Sequence, residues 1–223
     1  MKLHQRPPPL GSGVHHSVRV IVVVEGPNDV EFLRRISSML HAHDADLPNL
    51  SALEERERLL FLPLGGSSAA WAVRLAPLQL PEFHLLDREL PPETEVRQAI
   101  VNRINRRRGC RAVLTGKRTI ENYLHPAALR RAGELQLEFG DLDSVPEIVA
   151  KASFAREQLS AAWDALPRRA HKRLINRVKR WLNTKVVEEM TFELLHERDP
   201  GGEVVSWLRG IHRLAGAFTD DSR

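Results

Sequence analysis

From residue 18 onward, short apolar runs alternate with stretches of helical periodicity. Residues 18–24 form a nearly unbroken β-branched run closed by the acid Glu25, the pattern of a strand buried on both faces of a parallel sheet. Gly26 breaks the run, and Pro27 suits a first helical position. Val30, Phe32, Leu33, Ile36, Met39 and Leu40 then set a helical stripe as far as His41. Residues 59–64 are a second apolar run, Gly65-Gly66 a turn, and residues 67–75 a helix opened by a serine cap. The intervening residues 42–58 read as a polar excursion. A third run, residues 83–86, ends in Asp87-Arg88-Glu89. Pro91-Pro92 then opens a helix to about Arg108, and residues 111–115 make a fourth strand. Strands alternating with helices predict an α/β fold, a mainly parallel sheet flanked by helices, with right-handed crossovers that set the strand C-termini along one rim.

Past residue 126 strand patterns become scarce. Residues 154–166, 171–182, 186–196 and 203–214 fit helical periodicity, with Pro146, Pro167 and residues 199–202 as separators. The chain therefore divides into a leader at 1–17, an α/β domain at 18–130, a helical extension at 131–218 and a frayed tail at 219–223. The leader is expected to be disordered, because Pro7, Pro8 and Pro9 followed by Gly11, Ser12 and Gly13 sustain neither a helix nor a ladder. No internal repeat, heptad array or zinc-finger spacing is present.

Composition adds exclusions. Among 223 residues, 42% are hydrophobic and 28% charged, which sets aside disordered and fibrous classes. The single thiol, Cys110, cannot form an internal bridge, and the N-terminus lacks a charged-then-apolar signal segment. A cytoplasmic protein with no membrane span is expected, since the longest apolar run is far short of the ~20 residues a bilayer helix requires. The net charge of +4 is unevenly spread. Residues 97–118 and 168–185 hold eight Lys and Arg each and no acid. Such stripes suit a polyanion, because phosphate neutralisation supplies most sequence-independent affinity for nucleic acids; a solvated helix face is the plainer alternative.

The acids at the strand ends are the candidate chemistry, since open parallel sheets bind ligands outside the carboxyl ends of their strands. Glu25 closes the most apolar strand, where a carboxylate is costly unless paired or bound to a cation. Asp29 lies one helical turn on and can face the same rim; complementing the helix dipole is its other reading. Asp87 and Glu89 are spaced i, i+2, so in an extended strand both project to one side. Oxygen ligands of this kind suit Mg²⁺. Gly65 and Gly66 are either a place where backbone approaches phosphate or a simple turn. Lys117 and Arg118 are candidates to contact DNA or to neutralise the acids, and Arg106, Arg107 and Arg108 to contact phosphate from the outer face. His15, His16, His41 and His43 lack a cysteine companion and do not suggest zinc. His84 and the four tryptophans read as packed residues. Ser67 and Ser68 lack a nucleophile elbow, and no phosphate-binding G-x-x-x-x-G-K-[ST] motif occurs.

Three segments, VVVEGPNDVEFL, LPLGG and HLLDRE, resemble the signature segments of a TOPRIM domain. KRTIENYLHPAAL, residues 117–129, is similar to the corresponding stretch of the OLD-like branch of TOPRIM nucleases. The resemblance covers residues 18–129 well and the helical remainder loosely. It implies an endonuclease that uses Mg²⁺ or Mn²⁺, two ions in all, to cleave DNA, in a branch that often serves phage defence. On this match Glu25 is a metal ligand and general acid or base, and Asp29, Asp87, Glu89 and Glu121 are further metal ligands. Glu89 stands where many relatives have aspartate. NTKVVEEMTFELL resembles the lysine-containing helix of the branch, which would set Lys185 against the scissile phosphate. The absent ATPase motif implies a freestanding nuclease or one that works with a separate ATPase partner; a homo-oligomer stays open. Two alternatives stand beside it: a catalytically weak nucleic-acid-binding or regulatory subunit, and an enzyme of RNA maturation or nucleotidyl transfer. Topoisomerase chemistry is disfavoured, because the only tyrosine, Tyr123, lies in the ENYL segment, where packing is its expected role.

Overall fold

The structure is a computed structural model that describes residues 18–65, 74–157 and 162–217. Among these residues four strands, β1 (Val20–Val24), β2 (Leu59–Pro63), β3 (Glu82–Leu86) and β4 (Cys110–Leu114), pair in parallel in the order β2-β1-β3-β4. Every residue of β1 is buried, as its β-branched composition demands of a central strand. The helix expected at 67–75 falls almost wholly outside the described residues, as do the leader and the tail.

Helix α1 (Pro27–His43) follows β1 with Pro27 in its first turn. The stretch read as a polar excursion contains α2 (Leu50–Glu55), because the Asn49 side chain accepts from the Ala52 amide at 3.2 Å and Leu50 is buried. Helix α3 (Glu93–Ile104) stops short of Arg108. Its end is set by Asn105, whose side chain donates to Ala112 O at 3.0 Å and accepts from Ala112 N at 2.7 Å, turning the chain into β4.

The remaining helices are α4 (Pro126–Gly133), α5 (Val145–Glu157), α6 (Arg168–Trp181), α7 (Phe192–Arg198) and α8 (Glu203–Ala217). Helix α5 starts at Val145 rather than at residue 154 as its periodicity predicts, and overlaps the expected stretch only at residues 154–157. Pro146, read as a separator, instead occupies the first turn, where its missing N–H costs nothing, and the Ser144 carbonyl accepts from Glu147 and Ile148 at 3.0 Å each. After α6 the chain continues through a π turn (Leu182–Val186) and a 3-10 turn (Val187–Glu189).

One core runs through both halves of the chain. Val20, Val22, Val24, Phe83 and Leu85 on one face of the sheet belong to the same buried cluster as Leu182 and Val186 and as Val204, Trp207 and Ile211 of α8. The opposite face packs Leu86 and Ala112 against Val101 and Ile104 of α3. The helical region is therefore no appendage, because α8 lies directly on the sheet. Gly210 marks the closest approach: a Cβ there would lie 2.9 Å from the Phe83 ring. Gly210→Ala is expected to destabilise by about 1–3 kcal/mol through overpacking, despite the gain in helix propensity. A denaturant melt showing no loss would contradict this packing.

Candidate functional site

Since β1 and β3 are neighbours, the residues that leave their carboxyl ends meet. The Asp87 amide donates to Glu25 Oε1 at 3.0 Å. Both Glu25 oxygens are also held by Arg97 of α3, through Nη1 to Oε1 and through Nη2 to Oε2 at 3.2 Å, and Arg97 Nη1 donates to the Asp87 carbonyl at 2.9 Å. Burial pulls the Arg97 guanidinium below its ordinary range. Glu25 thus meets Asp87 at its backbone amide rather than at its carboxylate, and both Glu25 oxygens are turned to an arginine.

The Asp87 carboxylate takes a different direction. It is 6% exposed and accepts from the Ile120 amide at 3.1 Å. Ile120 opens the 3-10 turn Ile120–Tyr123 of the ENYL segment, which carries Glu121. Glu121 is 1% exposed, accepting from Thr119 Oγ1 at 2.6 Å and from Asn183 Nδ2 at 2.9 Å. Asp29, also buried, accepts from the Gly26 amide at 2.8 Å. Burial first, then repulsion from Glu121, pushes the Asp29 carboxyl up to about 7. Burial, and then Asp29 and Glu121, raise Asp87 well above the usual carboxylate range. Among the described residues Lys179 is the cation that offsets them. Lys179 Nζ lies 3.9 Å from Glu121 Oε1, and Glu121, Asp87 and Asp29 together hold its ammonium above its ordinary value against the pull of burial.

The sequence-predicted acids Asp29, Asp87 and Glu121 are therefore brought together around Lys179, a residue that sequence reasoning missed in favour of Lys185. Lys185 is 66% exposed and bonded to Glu188 at 3.3 Å. No local sequence signal separates the two; the fold does, since Asn183, one turn on from Lys179, bonds through Nδ2 both the Lys179 carbonyl, at 2.9 Å, and Glu121.

Glu89 does not extend the strand beside Asp87. β3 ends at Leu86, and Glu89 adopts a left-handed φ of 54°, so the i, i+2 argument fails. That conformation is stapled to Arg118: the Glu89 amide donates to the Arg118 carbonyl at 2.9 Å, and Arg118 Nε donates to Glu89 Oε2 at 3.2 Å. Glu89 still contributes repulsion to Asp87.

The expected phosphate contacts are largely engaged elsewhere. Lys117 pairs with Asp141, and Arg118 is held by Glu89. Arg107 forks onto buried Glu82 at 2.9 and 2.5 Å. The loop that carries Arg106, Arg107 and Arg108 precedes β4, and Gly109 O accepts from Glu82 N at 3.0 Å. All three therefore sit at the amino ends of the strands, the rim opposite the acids. Gly65, at φ 61°, closes a turn in which its amide donates to Glu25 O at 2.9 Å, a conformation glycine adopts at least cost; Gly66 lies outside the described residues. His15 and His16 also lie outside them. His41 bonds Leu47 O at 2.7 Å, His43 stacks on Phe192, and His84 is fully buried beside Glu82. Tyr123 is buried with its hydroxyl on Glu203, and burial and that carboxylate push the phenol up.

The donor set of the rim is all oxygen, and three buried carboxylates face one lysine, an imbalance that a hard divalent cation would relieve. By donor chemistry Asp29, Asp87 and Glu121 fit such an ion. Among the described residues, no group of three or more His, Cys, Asp or Glu side chains already closes on a single metal position, so ligation requires these side chains to turn from their present hydrogen bonds.

Among solved structures, this chain is similar to the C-terminal region of the Xanthomonas campestris pv. campestris OLD protein. The two share 13% sequence identity over 92% of this chain and 98% of that chain, with a TM-score of 0.49. The C-terminal region of the Burkholderia pseudomallei OLD protein shares 14% identity over 86% of this chain and 98% of that chain, with a TM-score of 0.47. No family model and no curated protein matches. At such identity the similarity assigns no residue a role. Among the described residues no helix is long and apolar enough to cross a membrane.

Proposed function

We propose that the chain is a Mg²⁺- or Mn²⁺-dependent nuclease that cleaves DNA phosphodiesters at the rim formed by Asp29, Asp87 and Glu121. The observation that carries this reading is the meeting of buried Asp87, bonded to the Ile120 amide, with buried Glu121 beside it and 3.9 Å from Lys179, at the carboxyl ends of a parallel sheet, with buried Asp29 near enough to repel both acids. A bound divalent ion supplies charge neutralisation at the phosphate and a more acidic water. The protein's own residues do the rest. Asp29, Asp87 and Glu121 hold the cation, and Lys179 sets a positive charge beside a phosphate oxygen. Arg97 fixes Glu25 at the edge of the site, where the Glu25 carboxylate can accept a proton once released from that pair. The TOPRIM-like motifs point to the same chemistry.

The test is plasmid, single-stranded DNA and RNA incubated with the purified protein and Mg²⁺ or Mn²⁺. DNA cleavage that survives Asp29→Asn, or that proceeds in chelator, would refute the reading. Cleavage of RNA alone would favour the RNA-maturation alternative.

Metal uptake has a readout independent of activity. Below pH 7 the Asp29 carboxyl, raised to about 7, holds a proton that an incoming ion must displace. Mg²⁺ is therefore expected to raise the melting temperature at pH 8 by roughly 5–10 °C at 100-fold excess over its Kd, and by clearly less at pH 6. A shift independent of pH, or one that persists in Asp29→Asn, would place the ion elsewhere.

A further inference from the structure

We propose that the exposed face of α6 is the docking surface for double-stranded DNA, which it delivers to the acidic rim; this rests on the nuclease reading and names its binding surface. Arg168, Arg169, Lys172, Arg173, Arg177 and Arg180 are all exposed on this one helix. Among the described residues none of the six has a carboxylate partner.

Their placement works against the helix that carries them. Arg168 and Arg169 sit in a first turn that contains no acid, where the helix dipole disfavours positive charge. Arg169 with Arg173, and Arg173 with Arg177, are like-charge pairs at i, i+4, each unfavourable by about 0.2–0.5 kcal/mol. The helix is retained by its inner face, where Val178 is buried and Leu174 and Ile175 pack on the core. Cations kept where they destabilise their own element need a counter-charge from outside the chain.

The arrangement distinguishes a duplex from a single strand. At 3.6 residues per turn, Arg169, Arg173 and Arg180 make a central row, with Arg168 and Lys172 on one flank and Arg177 on the other. A helix seated along a groove meets two phosphate rows at once, and cations on both flanks match that geometry; one strand offers a single row. Lys179, on the same helix, reaches inward to Glu121, so a phosphate backbone that follows α6 arrives at the acids. Of the two basic stripes that the sequence pattern nominated for a polyanion, the one at 97–118 has Arg107 and Arg118 held by Glu82 and Glu89, and the one at 168–185 carries the exposed face of α6.

The experiment is fluorescence anisotropy with a labelled 20-base-pair duplex and its single strand, in chelator so that nothing is cut, across a salt series. Each phosphate contact contributes about 0.9 to the slope of log K against log salt on duplex DNA. Arg169→Gln/Arg173→Gln/Arg180→Gln is expected to lower the slope by two to three, weakening binding at least tenfold at low salt, while the Arg→Lys triple keeps the wild-type slope. Arg130→Gln/Arg209→Gln/Arg213→Gln removes the same charge from other surfaces and is expected to leave the slope unchanged. A wild-type slope in the α6 Gln triple, an equal loss in the control triple, or tighter binding to the single strand would each overturn the proposal. Asp87→Asn separates the two readings: if duplex binding follows α6 but neither wild type nor variant cleaves, the surface stands and the nuclease reading falls.

Discussion

Asp87→Asn is expected to reduce metal-dependent cleavage by on the order of 10³-fold, the several kcal/mol a catalytic ion contributes, while making the protein more stable above neutral pH. Asparagine keeps an oxygen for the Ile120 amide and removes a charge from a buried position. The gain in stability follows from the sign of the shifts. Asp87 and Asp29 both have folded values raised above their unfolded ones. Between the ordinary carboxylate range and the raised value, the folded state binds more protons than the unfolded state, so stability falls as pH rises through that window. For Asp29 the window closes near pH 7. Melting curves of wild type and Asp87→Asn are therefore expected to diverge as pH rises from 5 to 8, the variant melting higher. A variant that melts lower at pH 8 would mean that Asp87 is a structural ion-pair partner of Lys179, and the catalytic assignment would lose its physical basis.

Arg107→Ala is expected to cost about 3–5 kcal/mol, lowering the melting temperature by on the order of 10 °C, because it strands a carboxylate in the sheet. Glu82 is 1% exposed, and its partners include Arg107, the equally buried His84, 2.7 Å away, and the Cys110 thiol. Burial pushes Glu82 up, but hydrogen bonds from His84 and Arg107 outweigh it and hold the carboxyl below its ordinary value. The stabilisation is therefore present above the unfolded carboxylate value and lost as pH falls through the folded one. In the variant burial acts with less opposition, so the deficit is expected to shrink toward pH 5. Arg106→Ala, one residue away and exposed, is expected to stay within about 0.5 kcal/mol. Equal small effects of the two substitutions in chemical denaturation would show that the fork contributes nothing.

What the sequence revealed and what it concealed divide along a physical line. The run from Val20 to Val24 announced a central strand because β-branched residues with no polar alternation fit little else, and acids that end such runs announced the rim. Asp87 was legible for that reason, Asp29 as an acid one helical turn beyond such a run, and Glu121 only through the resemblance of its ENYL segment. Their counter-charge was not. Lys179 and Lys185 lie on one basic stretch, and which of them turns inward depends on how α6 and the π turn seat against the core, a tertiary fact with no local signature. The pairings of Arg97 and Arg107 were hidden likewise, since their carboxylate partners are 72 and 25 residues away in the chain. The helical half was legible as helices but not as the cover of the sheet, because a periodic stripe shows that a face is buried without saying against what.

The segment that bears Glu121 is held in place from the far end of the chain. Glu203, at the start of α8, accepts from the Tyr123 hydroxyl and, at 2.8 Å, from the Gly116 amide, and Asp199 just before it caps the same helix through the Glu203 and Val204 amides at 3.0 and 2.8 Å. A polypeptide still emerging from the ribosome has its first acids in hand long before this latch is synthesised. Until α8 docks, the Tyr123 hydroxyl and the Gly116 amide lack that acceptor and the ENYL turn rests on its contacts to Asp87, Asn183, Gly140 and Asp143, so the setting of Glu121 is completed by a residue translated 80 positions after Tyr123.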